Sequence, residues 1–263
     1  AQMLTLEVLH RERVSPTYMR VTLGGEDLRE FEPMGFDQWF RLFLPVTDAS
    51  LSRLPRTLDT MAYLRYLAIS KTDRPVLRNY TVRAFREAGQ DGPELDIDFV
   101  LHGDEVDGGP AASWARSCSP GDPAAILDEG VAFNPPSGRT GHAVLVADES
   151  AAPAAAAILA DLPPSVAGDA VIEVPARADI PALEVPTSLA VTWVVREEAA
   201  PGSVPGTTAL QVASALSAAP SDAYRWVGGE QALASGMRRH WVHTGVPKDA
   251  ISFCGYWRSR PHR

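Results

Sequence analysis

Apolar and polar positions alternate with a period of two through the first half of the chain. In the second half they give way to short apolar runs separated by helical stretches. Leu4, Leu6 and Val8 alternate, Ser15-Pro16 supplies a turn, and Met19, Val21 and Leu23 alternate again before Gly24-Gly25. This predicts a β-hairpin over 4–25. Trp39 to Leu44 reads as another strand, closed by Pro45. Residues 57–68 have a helical period, with Leu58, Met61, Ala62 and Arg65 neighbours around a turn. Strands are predicted over 78–86 and 95–102. On the second, Leu95, Ile97, Phe99 and Leu101 share a core face, opposite Asp96, Asp98, Val100 and His102. Asp122 to Leu127 adds one more strand. Short strands punctuated by Pro and Gly predict a small antiparallel barrel.

Phe133-Asn134-Pro135-Pro136-Ser137-Gly138 breaks every regular pattern. It sets the expected domain boundary, 1–137 and 138–263. Beyond it, Ala143 to Ala147 is a continuous apolar run, followed by Asp148-Glu149-Ser150 and an alanine-rich helix. Val171–Val174, Leu189–Val195, Tyr224–Val227 and Ile251–Cys254 are further strand candidates. Helices are predicted over 207–218 and 230–244, the latter with Leu233, Met237 and Trp241 on one stripe. The alternation predicts an α/β domain with a mostly parallel sheet. Ligands of such sheets sit beyond the carboxyl ends of the strands. Those ends carry Asp148, Glu149 and Ser150, then Gly228, Gly229 and Glu230, then Cys254 and Gly255. No GxGxxG is present, so the pattern alone assigns no dinucleotide to this half.

With 263 residues, 45% of them hydrophobic, the chain can bury a sizeable core in one large or two ordinary domains. A formal charge of -9 argues against a nucleic-acid binder and an anionic membrane surface. The two cysteines, Cys118 and Cys254, make neither a disulfide framework nor a metal motif. Cys254 is expected to be a small buried apolar side chain. A reducing cytosol is the simplest compartment. No signal peptide is visible in Ala1–His10 and no apolar run reaches bilayer length, so a cytoplasmic protein without membrane insertion is expected.

Against the negative total, the run from Arg53 to Arg86 holds eight basic residues and two acids, Asp59 and Asp73. A local basic patch on an acidic protein suits a small anionic ligand. Within it, Arg78-Asn79-Tyr80-Thr81 offers a guanidinium fork for phosphate, a ring for a planar heterocycle and a hydroxyl for a ring nitrogen. On a strand, Arg78 and Tyr80 share a face. The stretch Gly108-Gly109-Pro110-Ala111-Ala112-Ser113-Trp114 opens a helix. It is either a phosphate site built from backbone amides or an ordinary helix start. Arg41 shares a face with Trp39 and Phe43, as a stem along apolar surface or as a charge aimed into a cleft.

Together these stretches resemble the siderophore-interacting protein family, FAD-dependent ferric-siderophore reductases. The resemblance rests on Arg78-Asn79-Tyr80-Thr81-Val82-Arg83, DIDFVLHG (96–103), GPAASWA (109–115) with Pro120-Gly121-Asp122, DESAAPA (148–154), WVGGEQALASGMRRHW (226–241) and Gly255-Tyr256-Trp257-Arg258. It implies a flavin-binding antiparallel Greek-key β-barrel followed by an α/β domain of the ferredoxin-reductase type. It implies that Arg78 holds the FAD pyrophosphate, that Tyr80 stacks on the flavin ring, and that Asn79 and Thr81 lie beside it. Asp98, Val100, Leu101, His102 and Gly103 would line the FAD. Ala111, Ala112 and Ser113 would face the phosphates with Trp114 nearby, and Tyr256 and Trp257 would close the flavin side. Asp148, Glu149, Ser150 and Glu230 would lie where NAD(P)H approaches. Many ferric siderophores are anionic, so Arg41, Arg116, Lys248 and Arg258 are candidate docking cations. The implied reaction is reduction of a ferric siderophore with electrons from NAD(P)H or reduced ferredoxin, without a catalytic side chain or a resident metal. The alternatives are a flavin-dependent reductase for another acceptor, such as a ferredoxin partner, and a non-catalytic ferric-siderophore-binding protein.

Overall fold

The computed structural model describes residues 2–47, 50–54, 60–90, 92–101 and 109–259, with only the backbone of Arg53, Thr60, Met61 and Ala62. The chain divides into two compact units, Ala1–Val131 and Ala132–Arg263.

The first unit contains β1 (Met3–Arg13), β2 (Tyr18–Gly24), β3 (Trp39–Leu44), α1 (Thr60–Ala68), β4 (Val76–Thr81), β5 (Ala84–Gly89), β6 (Gly92–Val100), α2 (Gly109–Ser117) and β7 (Pro123–Gly130). The predicted hairpin over 4–25 is β1–β2, and the Ser15 Oγ of its turn accepts the Tyr18 N–H at 3.1 Å. The sheet order is β4-β3-β7-β1-β2-β6-β5, antiparallel throughout. Its two outermost strands, β4 and β5, are consecutive in sequence and separated only by Val82 and Arg83. Three Cα steps reach at most about 11 Å. The edges of a flat seven-stranded sheet would lie about 29 Å apart. The sheet therefore curls until its ends meet, and the barrel follows from the shortness of that link.

The link also corrects one expectation. Residues 78–86 form two strands, not one. Val82 N–H donates to the Gln38 carbonyl at 2.8 Å, and Arg83 N–H donates to the Asp96 carbonyl at 2.9 Å. The chain thus leaves the β3 side and joins β6 within two residues. Inside the barrel, Val8, Val21, Leu23, Phe40, Leu42, Leu95, Ile97 and Phe99 are buried in one cluster. On the opposite face of β3, α1 docks through Tyr66. Its ring meets Phe43 edge-on at 5.8 Å, and its hydroxyl donates to the Pro75 carbonyl at 2.8 Å.

The second unit contains β8 (His142–Ala147), α3 (Ala152–Asp161), β9 (Ala167–Val174), β10 (Leu189–Val195), α4 (Arg196–Ala199), α5 (Thr207–Ser214), β11 (Tyr224–Glu230), α6 (Gln231–His243) and β12 (Ile251–Trp257). The order β10-β9-β8-β11-β12 is parallel at every pairing. Leu233, Met237 and Trp241 of α6 are buried as their spacing predicts. The helix expected over 207–218 ends earlier, at Ser214. Gly168 of β9 has φ +146°, and a Cβ there would lie 1.8 Å from the Ala143 carbonyl oxygen, so only glycine fits between β9 and β8. No helix among the described residues is long and apolar enough to cross a membrane.

Phe99 is fully buried and touches the rings of both Tyr80 and Trp114. Phe99→Ala should destabilise the first unit by about 3–5 kcal/mol in urea unfolding. A loss below about 1 kcal/mol would mean the barrel interior is not close-packed around this ring.

Candidate functional site

On β4, Tyr80 pairs with Phe40 and Arg78 with Leu42. Phe40 and Leu42 are fully buried, so Arg78 and Tyr80 share the inner face, as the period of two predicts. Asn79 lies on the other face and is exposed. The Tyr80 ring sits 4.4 Å from that of Phe99 on β6, and Phe99 sits 5.7 Å from Trp114 on α2. This row of three rings brings together three stretches that are far apart in sequence: 78–81, 95–101 and 109–114. Burial pushes the Tyr80 phenol well above its ordinary range, although the Arg78 charge opposes that shift. Arg78 itself is exposed. Its guanidinium donates to the Leu77 carbonyl at 2.7 Å and enters no ion pair among the described residues. The strand therefore carries a cation at its rim and a half-buried ring two residues on. Thr81 is buried at the strand end.

At the start of α2, Gly109 has φ +76° with nothing within 4 Å of a built Cβ. Ala111 and Ala112 are buried. The Ser113 hydroxyl turns back to donate to the Gly109 carbonyl at 3.0 Å. First-turn amides of a helix have no intrahelical acceptor, so Ala111 and Ala112 can offer theirs outward. Leu101 is buried and donates its N–H to the Thr17 carbonyl at 2.7 Å, beside half-buried Val100. His102 and Gly103 lie outside the described residues.

Asp98 alternates away from Phe99 and faces the other side of β6. It takes two hydrogen bonds from Arg20, Nε at 2.7 Å and Nη2 at 2.9 Å, and lies 3.5 Å from Arg83 Nε. Its carboxylate thus grips the link that closes the barrel. Along the same face, Asp96 accepts from Thr22 Oγ1 at 2.7 Å and from both Nη atoms of Arg86 at 2.7 and 2.9 Å. Burial alone would raise the Asp96 carboxyl, but Arg86 and Thr22 hold it below its usual range. Sequence reasoning placed Asp98 on this face and missed its partners. The available signal was Arg20, which stands directly opposite Asp98 in the β2–β6 pairing.

In the second unit, the groups predicted at the strand ends do converge. Asp148 Oδ1 accepts the Ser150 N–H at 2.9 Å and its hydroxyl at 2.6 Å. Oδ2 accepts the Glu230 N–H at 2.6 Å and the Trp257 indole N–H at 3.3 Å. Gly229 precedes Glu230 with φ +134°, and a Cβ there would come within 2.6 Å of the Asp148 carboxyl carbon. Glu230 caps α6 by accepting the Ala232 N–H, and it also accepts the Ser259 N–H at 3.0 Å and hydroxyl at 3.1 Å. Glu149 is held bidentately by Arg196 at 2.8 and 2.9 Å. Arg196 also reaches Glu173 at 2.9 Å, and Glu173 accepts the Gly206 and Ala209 amides of α5 at 2.9 Å each. Three buried carboxylates at this edge, Asp148, Glu149 and Glu230, thus have their oxygens occupied by donors of the same unit. Tyr256 is exposed on β12 beside half-buried Trp257. Cys254 is exposed, not buried as expected, because β12 is an edge strand of the sheet.

Of the expected docking cations, two lie in the first unit and two in the second. Arg41 pairs with Glu129 at 2.7 Å, and Arg116 lies in the last turn of α2. Lys248 and Arg258 are both exposed but flank opposite ends of the seven-residue β12, whose length is about 23 Å. Among the described residues, no cluster of His, Cys, Asp and Glu could hold a metal ion.

Two family descriptions match the chain. The siderophore-interacting FAD-binding domain covers residues 7–133, and the siderophore-interacting protein description covers residues 140–260. An uncharacterized protein of Mycobacterium tuberculosis is 34% identical over 266 residues, covering 96% of this chain and 89% of that protein. The ferric vibriobactin reductase of Vibrio cholerae is 31% identical over 193 residues, 73% of this chain and 66% of that protein. The crystal structure of the siderophore-interacting protein SipS from Aeromonas hydrophila superposes with a TM-score of 0.72 at 29% identity, covering 98% of this chain and 99% of that one.

Burial pushes the Asp148 carboxyl up to about 6, and the Glu149 carboxylate adds to the shift. The folded protein therefore holds this proton more tightly than the unfolded chain, whose aspartates titrate near 4. The stability from this group is complete below about pH 4 and is lost as pH rises through about 6. Unfolding of the second unit should become easier by about 1 kcal/mol between pH 5 and pH 7. Asp148→Asn should abolish that slope. An unchanged slope in the variant would assign it to another group.

Proposed function

This chain belongs to the siderophore-interacting protein family, and we propose that it is a flavin-dependent reductase of ferric siderophores supplied with electrons by NAD(P)H. The observation that carries the proposal is the Tyr80–Phe99–Trp114 row, which joins α2 to the strand whose inner face also carries Arg78. A dinucleotide flavin asks for an anion site beside a flat apolar surface, and the residues present fit that demand. Arg78 has no carboxylate partner among the described residues, and the α2 amides provide a second, uncharged phosphate contact.

In this reading the segment 1–137 holds FAD and 138–263 receives the nicotinamide. FAD, when bound, supplies the chemistry of accepting a hydride and releasing electrons one at a time. The side chains do the rest. Arg78 and the amides of Ala111 and Ala112 hold the diphosphate. Tyr80 covers the ring and excludes water from it, and Thr81 offers a hydroxyl at the ring edge. Leu101 to Gly103, Ser113 and Trp114 frame that pocket, and Asn79, Asp98 and Val100 support it from the opposite faces of their strands, Asp98 through Arg83. Asp148 and Glu230 fix the ends of β8, β11 and β12, so that Ser150, Tyr256 and Trp257 are presented in one arrangement.

The substrate's iron is bound by hard oxygen donors that favour its ferric state. One electron lowers its charge and loosens every such bond, which releases iron without a protein nucleophile or base. We place the reaction in the cytoplasm, where a chain whose two cysteines form no disulfide is at home.

The test is an anaerobic titration of purified protein loaded with FAD, using NADH, NADPH and reduced ferredoxin separately. The proposal expects a yellow protein that is bleached by a nicotinamide donor and recovers its colour on addition of a ferric siderophore. Bleaching by ferredoxin alone would reassign the donor. A colourless protein that rejects FAD would leave only a siderophore-binding role. Arg78→Ala should weaken FAD binding at least about tenfold, read by equilibrium dialysis. Undiminished affinity would remove Arg78 from the phosphate site.

A further inference from the structure

The sheet of the first unit curls until its ends meet, whereas the parallel sheet of the second unit keeps two edges, β10 and β12. The β12 edge is irregular, because its pairing with β11 shifts register between Gly229 and Glu230. β10 has no such break. It runs in unshifted register with β9, from Leu189 opposite Gly168 to Val195 opposite Val174. Its sequence, LAVTWVV, contains no charge and no proline. Among the described residues, no backbone hydrogen bond outside the pairing with β9 reaches residues 190–195. Ala190 and Thr192 are exposed on one face, and Val191 and Trp193 are half-buried on the other. A straight, uncharged strand rich in β-branched residues, with one free row of backbone donors and acceptors, is a template for a further strand. Sheet proteins ordinarily blunt such an edge with lysine, proline or a bulge, and β10 carries none of the three.

We infer that β10 is a dimer interface, at which two copies of this chain join their β10 strands antiparallel about a two-fold axis at Thr192. The joined sheet is continuous, with five strands from each copy. In that register Val191 stands opposite Trp193 of the second copy, Ala190 opposite Val194 and Leu189 opposite Val195. A β-branched side chain facing an aromatic one is a favourable cross-strand pair, and the two Thr192 hydroxyls meet at the axis. Charge permits a second copy although each carries -9. The acids nearest the strand are neutralised within the chain: Glu198 pairs with Arg177 at 2.6 Å and Glu173 with Arg196 at 2.9 Å. Exposed Glu197 and Glu184 stand opposite Thr187 and Ala200 of the second copy, so no like charges are opposed. A strand built to select a different protein would use charges to reject the wrong ones, and β10 has none. Its seven residues span about 24 Å, so pairing alone covers less than a permanent dimer buries, and the dimer forms and dissociates with concentration. Because the contact is isologous, it occupies the β10 edge of both copies and stops at two. Antiparallel joining points the carboxyl ends of the two half-sheets in opposite directions, so the strand ends that carry Asp148 and Glu230 stay apart and dimer formation does not depend on the flavin.

Sedimentation velocity of the full chain across the micromolar range tests the inference. The wild type should shift from monomer to dimer as concentration rises. Thr192 is exposed, so substitutions there leave the fold intact. Thr192→Lys and Thr192→Asp should each raise the dimer dissociation constant at least about fivefold, because each sets like charges against one another at the axis. An equimolar mixture of the two variants should recover at least wild-type association, which misfolded variants could not do. A wild type that stays monomeric throughout would overturn the inference, as would one that grows beyond a dimer. So would a dimer of unchanged strength in either variant, or a mixture that associates no better than the variants alone.

Discussion

Two residues, Val82 and Arg83, set the geometry of the first unit. They join the opposite edges of a seven-stranded sheet, and a link that short leaves no alternative to curling. Because β4 is thereby folded back towards β6, Tyr80 comes to rest on Phe99, and Phe99 reaches Trp114 of α2. A longer link would allow the edges to part and would separate the cation-bearing strand from the helix start. The link is fixed at both residues by backbone hydrogen bonds, and its arginine is held by Asp98, which Arg20 anchors in turn. A half-exposed guanidinium and a nearly buried carboxylate in bidentate contact make a directional tie that an unpaired surface charge could not.

The same use of carboxylates recurs in the second unit. Asp148 and Glu230 stand at the strand ends where a ligand would approach, yet their oxygens receive donors from Ser150, Glu230, Trp257 and Ser259. A buried carboxylate is costly unless its lone pairs are satisfied, so these groups hold the chain ends in register first. Asp148 remains strained in the electrostatic sense: desolvation and Glu149 outweigh its four donors. Glu149 pairs with Arg196, which also pairs with Glu173 beneath α5. Both units thus place charged side chains behind the surfaces they organise.

Much of this was legible from the sequence because it depends on period. The alternation of Leu95, Ile97, Phe99 and Leu101, the shared face of Arg78 and Tyr80, and the stripe Leu233, Met237, Trp241 are local consequences of strand and helix geometry. Strand existence followed from the same signal. Partner exchange did not. The break at Val82-Arg83 lies within an unbroken strand-like pattern, and only the acceptors on Gln38 and Asp96 create it. The exposure of Cys254 depends on β12 being an edge, a property of sheet order. Ion pairs between residues distant in sequence, such as Arg20 with Asp98 and Arg196 with Glu149, were hidden because a single chain shows charges but not their register.

The central claim is that the inner face of β4, with the first turn of α2, is where the flavin is held. A crystal structure of the chain grown with FAD measures this most directly. The account predicts the isoalloxazine lying along Tyr80 and Thr81, with diphosphate oxygens within hydrogen-bond distance of the Arg78 guanidinium and the Ala111 and Ala112 amides. Density for FAD elsewhere on the chain, with Tyr80 and Arg78 facing only protein, would contradict it.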